Sequence, residues 1–152
     1  MRLVISHSTD TDKWIAENHY LHSTPAGAVI RMEFMDNDRR IGAMMWGRPV
    51  APQADQAQLL ELTRMYFVDD TEHCAESHAL SMARKYIRKH HPQIKGLIAY
   101  SSTGAGHEGT IYIADGWFIV SRSKERKGNG WASREGRVNR DPSAKIKFAR
   151  SP

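Results

Sequence analysis

Arg64 is the residue whose type fits its surroundings least. It lies in Leu59-Leu-Glu-Leu-Thr-Arg-Met-Tyr-Phe-Val68, a run of β-favouring residues without a breaker. In a regular strand Leu60, Leu62, Arg64, Tyr66 and Val68 share one face, which sets a permanent cation among apolar neighbours. An unpaired buried charge costs several kcal/mol, so Arg64 needs a partner. Either Glu61 pairs with it across a bulge, or it binds an anionic part of a ligand. The segment Asp69–Ser77 joins this strand to a long helical pattern. A helix start after a central strand offers free N–H groups to a phosphate or carboxylate, and Ser77 there is a further donor or simply a cap. The third stretch, Tyr100–Trp117, reads as strand, small-residue turn, short helix and Gly116. Gly104, Gly106 and Gly109 allow close approach of a ligand to the backbone. Tyr112, at the end of a strand where open α/β sheets bind ligands, is placed to exchange a proton or to pack as an aromatic.

Other chemistry is missing from the chain. There is no phosphate-binding G-x-x-x-x-G-K-[ST], no G-x-G-x-x-G, no H-E-x-x-H and no G-x-S-x-G. His19-x-x-His22 and the pair His73 and His78 have spacings that arise often by chance, and no metal site is expected from them. The single cysteine, Cys74, excludes an internal disulfide and a cysteine zinc cluster.

These residues need a scaffold, and the periodicities predict one. Strands are expected over 2–6, 28–35, 40–47, 59–68, 94–101 and 117–121, and helices over 10–20, 71–90 and 109–115. The helix over 71–90 has the clearest stripe, through Ala75, Ala79, Met82, Ala83, Tyr86 and Ile87, and Pro92 ends it. The order predicts an α/β fold with a mixed sheet, hairpins first and crossover helices after. At 152 residues, 40% hydrophobic and 26% charged, the chain can bury one core. No apolar run nears the ~20 residues of a membrane span, and the N-terminus lacks a signal-peptide pattern. A soluble protein of a reducing cytoplasm, with no membrane partner, is expected.

Charge is unevenly placed. Residues 121–152 carry ten Lys or Arg against three acids, whereas the first 120 residues carry twelve against fourteen. A basic C-terminal extension over 123–152, following a catalytic domain over 1–122, is the reading this suggests. Arg122, Lys124, Arg126, Lys127, Arg134, Arg137, Arg140, Lys145 and Lys147 are the candidate contacts to a polyanion, with nucleic acid the expected partner. A solvated basic tail is the alternative.

Strand and helix with Ser77, then strand, turn and helix with Tyr112 four residues before Gly116-Trp117, resemble the second half of a GNAT acyltransferase. Asn18-His-Tyr-Leu, Leu62-Thr-Arg-Met, Glu76-Ser-His-Ala and Gly106-His-Glu-Gly-Thr-Ile-Tyr together resemble the Mom family of Mu-like bacteriophages. The resemblance spans roughly residues 14–122. It implies a GNAT-like mixed sheet flanked by helices and an enzyme that adds an acetamido (methylcarbamoyl-type) group to adenine N6, protecting phage DNA from restriction. It also implies active-site roles for His19, Tyr20, Arg64, Ser77 and Tyr112, with Tyr112 as general acid and Arg64, Ser77, Gly106 and Tyr112 at the group donor. Ser102 stands in the catalytic set where the family carries an aspartate. If that carboxylate is the base, the role passes here to Glu61, His107 or Glu108. The Gly-rich pyrophosphate loop of GNAT enzymes is missing, so the donor is an acyl-coenzyme A or an aminoacyl-tRNA; iron enters by resemblance alone. An ordinary GNAT N-acyltransferase of small amines or proteins, and a non-catalytic DNA-binding module, are the alternative functions.

Overall fold

The structure, a computed structural model, describes residues 1–19, 21–51, 53–102, 109–124 and 144–152. In chain order the elements are β1 (Arg2–Ser6), α1 (Asp10–Asn18), β2 (Ile30–Asp36), β3 (Arg39–Gly47) and β4 (Leu59–Phe67). There follow α2 (Ala75–His90), β5 (Gly96–Ser102), α3 (Thr110–Ala114), β6 (Phe118–Arg122) and β7 (Lys145–Arg150). The strands form one sheet in the order β1-β2-β3-β4-β5-β7-β6, antiparallel except for the β4–β5 pair.

One face of the sheet carries the main core. Ile30, Met32, Phe34, Met44, Trp46, Leu60, Leu62, Leu97, Ala99, Ile146 and Phe148 point to it, each at alternate strand positions. α2 covers this face through Ala79, Leu80, Ala83 and Ile87, the i, i+4, i+8 stripe seen in the sequence. Full burial of Leu80 and Ile87 contributes roughly 1.5–3 kcal/mol each. α2 begins four residues later than expected. Residues 71–74 turn instead, and Cys74 sits in the left-handed region at φ 66° as an N-cap without a side-chain bond. Arg88, Lys89 and His90 crowd its last turn, where cations meet the negative end of the helix dipole.

Among the described residues, α1 is the helix that packs on the opposite face. It lies over β3 and β4, with Ile15 against Ala43 and Met45 and Trp14 edge-on to Tyr66 at 5.4 Å. Its attachment is also polar: Thr11 donates to Glu33 at 2.8 Å and Arg31 pairs with Asp12 at 2.7 Å. Beyond β3 this second face shows Glu61, Ile98, Tyr100, Lys145 and Lys147, which follows from the strand registers.

Two features differ from the sequence reading. The first is β7. Lys145–Arg150 lies inside the sheet between β5 and β6, with Ile146 and Phe148 in the core. A boundary at residue 122 therefore cuts the sheet, and the last strand belongs with the body, not with an extension. The second is Arg64. Leu62 pairs with Trp46 while Arg64 pairs with Met45, so Thr63 is an extra residue in β4. Such a bulge reverses the alternation. Arg64 and Tyr66 thereby leave the face of Leu60 and Leu62 and join the face of Glu61.

Candidate active site

β4 and β5 pair only from Leu59–Leu62 against Gly96–Ala99. Both strands continue, to Phe67 and Ser102, with no further register between them among the described residues. The sheet therefore splays at its centre, just where Thr63 bulges. A splay frees the backbone N–H and C=O groups of two central strands for a ligand.

Glu61 is the carboxylate at the root of this splay. It is 6% exposed, and its Oε1 accepts from the Val50 N–H at 3.2 Å. Burial pushes its pKa up, and the Val50 N–H followed by the charges of Arg64, Lys147 and Lys145 works against that shift. One acid is thus ringed by three cations from β4 and β7. Tyr100, on the same face, has its pKa raised by burial and by the charge of Glu61. The Lys147 ammonium stands 5.9 Å from the centroid of the Tyr100 ring.

Arg64 is held from two directions. Its Nε donates to the Ser23 carbonyl at 2.9 Å and its guanidinium to the Thr63 carbonyl at 2.7 Å. The first bond ties the loop after α1 to the bulge. That loop, with Gly47, Arg48, Val50 and Thr63, encloses a cavity of about 270 Å³ next to Glu61. His19 opens the same loop. It is buried, and its Nδ1 accepts from the Leu21 N–H at 3.2 Å, which leaves Nε2 to carry the ring proton.

Tyr112 lies on the other face. It is buried at 7% exposure, stacked on Phe148 with ring centroids 5.0 Å apart and edge-on to Trp117 at 5.4 Å. Gly109 and Gly116 bracket its helix with φ of +78° and +80°. The turn is locked by Asp115, which accepts two bonds from Arg84 at 2.7 Å and one from the Trp117 indole at 2.8 Å. Arg150 of β7 donates to the Asp115 carbonyl.

The sequence-derived candidates are thus divided. Glu61, Arg64 and Ser102 share the second face, with Ser102 buried and in register with Lys145. Tyr112 is on the core face. Ser77 stands apart on α2, where its hydroxyl donates to the Cys74 carbonyl at 3.1 Å. Of the polyanion contacts, Lys145 and Lys147 face the splay side of the sheet and Arg122 the other, while Lys124 follows β6. Tyr20, Gly106, His107, Glu108, Arg126, Lys127, Arg134, Arg137 and Arg140 lie outside the described residues. Tyr100 was missed by sequence reasoning, although an aromatic ring between Ala99 and two serines was a visible break in an apolar strand.

Cofactor groups fit unequally. At the start of α2 a cavity of about 460 Å³ is lined by Asp36, Asp70 and Glu72, and Arg39 there is already paired with Asp70 at 2.8 Å. The same lining holds His73 and His78, so acidic and basic side chains are mixed at this helix end. Among the described residues no three His, Cys, Asp or Glu side chains converge as an iron ion would require. No helix among them is long and apolar enough to cross a membrane.

A seven-stranded mixed sheet, splayed between its parallel strands and backed by α2 and α3, is the fold of the GNAT acyltransferase class. Solved structures agree. An acetyltransferase of the GNAT family from Desulfovibrio desulfuricans superposes with a TM-score of 0.65 over 99% of this chain and 98% of its own, at 13% identity. A GNAT-family acetyltransferase from Streptococcus pneumoniae does so at 0.63 over 99% of each chain, at 9% identity. An N-acetyltransferase from Staphylococcus aureus reaches 0.66 over 99% and 96%, at 10% identity. At such identities the likeness concerns the fold alone. The sequence match is narrower: the model of the Mom protein family fits residues 2–147, and the chain belongs to that family. A relative, the methylcarbamoylase mom of Escherichia phage Mu, is 25% identical over 114 residues, 70% of this chain and 47% of that protein. The chain thus spans about half the length of that curated relative.

Proposed function

We propose that this protein is a transferase that places a methylcarbamoyl-type group on N6 of adenine in double-stranded DNA, so that phage DNA escapes restriction in the host cytoplasm. The observation that carries this reading is the match to the Mom family across residues 2–147, on a chain whose splayed sheet holds a buried acid. The adenine amine is a poor nucleophile because its lone pair is delocalised into the ring. Its reaction needs positioning, a base and stabilisation of the charge that develops on the donor's carbonyl oxygen. Glu61 supplies the base, taking the N6 proton as the new N6–carbon bond forms. Arg64, fixed by the Ser23 and Thr63 carbonyls, supplies positive charge at the splay. The bond to the leaving group of the donor breaks, and Tyr112, on the core face opposite Glu61 and Arg64, returns a proton to it across the gap between β4 and β5. The donor is an acyl-coenzyme A or an aminoacyl-tRNA that carries the atoms of the methylcarbamoyl-type group as its acyl group, and the coenzyme A thiol or the transfer RNA leaves.

Plasmid DNA from cells expressing the protein tests this. It should resist endonucleases that cut at adenine-containing sites, whereas DNA from cells expressing Arg64→Ala should be cut. Complete cleavage of both, with soluble protein present, contradicts the reading.

A further inference from the structure

The second face of β5, β7 and β6 has a composition that neither a core nor an ordinary solvated surface explains. Registers place Tyr100 beside Lys147, Ser102 beside Lys145 and Phe118 beside Ala149 on this side. Tyr100 and Phe118 are 37% and 62% exposed. α1 packs elsewhere on this side, against β3 and β4. Two exposed aromatic rings and two half-buried lysines therefore share this side of the sheet with the buried Ile98 and Ser102, and the Glu61 carboxylate stands at its inner border.

We propose that this face is the nucleotide-docking surface, with Tyr100 stacking the unpaired target base and Phe118 a neighbouring base, while Lys147 meets the phosphate between them and Lys145 the next one, on the far side of Tyr100. The inference rests on the proposed DNA-modifying function and locates its acceptor. Rings on an open sheet face are suited to unstacked bases, because every base has a π-face and each stacked ring adds to affinity. A duplex base is not accessible in this way, so the target must leave the helix. The charges also match by position. The lysines lie out on β7, where a backbone phosphate would pass. Glu61 lies inward of Tyr100, where the exocyclic amine of a stacked base, a hydrogen-bond donor, would arrive. Lys147 above the Tyr100 ring occupies, in the free protein, ground that a phosphate of the stacked nucleotide would draw it away from.

Fluorescence anisotropy with a labelled oligodeoxyadenylate single strand, its duplex and an unacylated transfer RNA tests the surface, with adenine modification in cells read in parallel. Phe118→Ala and Tyr100→Ala should each weaken single-strand binding at least about fivefold, and Tyr100→Phe should not. Lys147→Gln should lower the log–log salt slope by about 0.7. Phe118 is so exposed that its removal tests the face even if Tyr100→Ala fails to fold. Wild-type modification with unchanged binding in Phe118→Ala and Tyr100→Ala overturns the surface and leaves the function standing. Ring-dependent DNA binding with no modified adenine supports the surface and removes the function. Ring-dependent binding of the transfer RNA, with DNA binding unaffected, overturns the assignment by giving this face to the donor.

Discussion

Asp115→Ala should unfold this protein more readily than any change at its exposed sites. The Asp115 carboxylate is buried, accepts two bonds from Arg84 at 2.7 Å and a third from the Trp117 indole at 2.8 Å, and joins α2 to the turn after α3. Removing it strands a guanidinium whose side chain is only 10% exposed. Breaking one half of such a pair costs about 3–5 kcal/mol, because the remaining charge stays buried without its counterion. For a chain of this length that lowers Tm by roughly 6–20 °C. The pair itself is worth far less than that figure, since ionic desolvation offsets its attraction. Arg84→Met combined with Asp115→Leu should therefore recover most of the loss. Urea unfolding of the four proteins in a double-mutant cycle gives the coupling directly. A loss below about 1 kcal/mol for Asp115→Ala, or a double variant no better than the worse single one, refutes the argument that this pair locks the turn holding Tyr112.

Three further outcomes follow from the same geometry. Glu61→Gln should reduce modification about 100-fold or more, and should erase the rise of rate with pH that an ionising base of raised pKa imposes. Burial favours the neutral acid, so Glu61 contributes stability at low pH that is lost as pH rises through its raised folded value. The Gln variant should lack that loss and melt no lower than the parent at neutral pH. Tyr112→Phe keeps the ring against Phe148 and Trp117, so Tm should change by no more than about 2–4 °C while modification falls by about 10²–10⁴; wild-type modification would reduce the tyrosine to packing. Gly109→Ala should cost about 1–3 kcal/mol by chemical denaturation, since its new Cβ would lie 2.2 Å from the Phe148 ring at a positive φ, and an unchanged midpoint would count against that clash.

The strands and helices that carry single, unbroken periodicities are legible in the amino-acid pattern itself. The stripe of α2 is one example, and Gly116, which ends α3 in the left-handed region, is another clear signal. What escaped the sequence escaped for local reasons. In Lys145–Arg150 the alternation of Ile146 and Phe148 signals a strand, but the surrounding cations outweigh two apolar residues in any reading by charge. The Thr63 bulge has no glycine or proline to announce it, so Arg64 was expected on the wrong face, among Leu60 and Leu62. Glu61 was in view only as a partner for Arg64 or as one of several bases. Its burial depends on Val50 and on β5 and β7, elements remote in sequence. Tyr100 needs the same long-range pairing to emerge beside Lys147. Single-residue roles were therefore less legible than the elements, because three-dimensional register decides them.

The central claim concerns one bond on one base. DNA recovered from cells expressing the protein, digested to nucleosides and separated by mass, should contain a deoxyadenosine heavier by a methylcarbamoyl-type group, fragmenting to place that group on N6. The same digest from cells expressing Glu61→Gln should contain little or none. Unmodified deoxyadenosine throughout, or the added group on another base, would contradict the account.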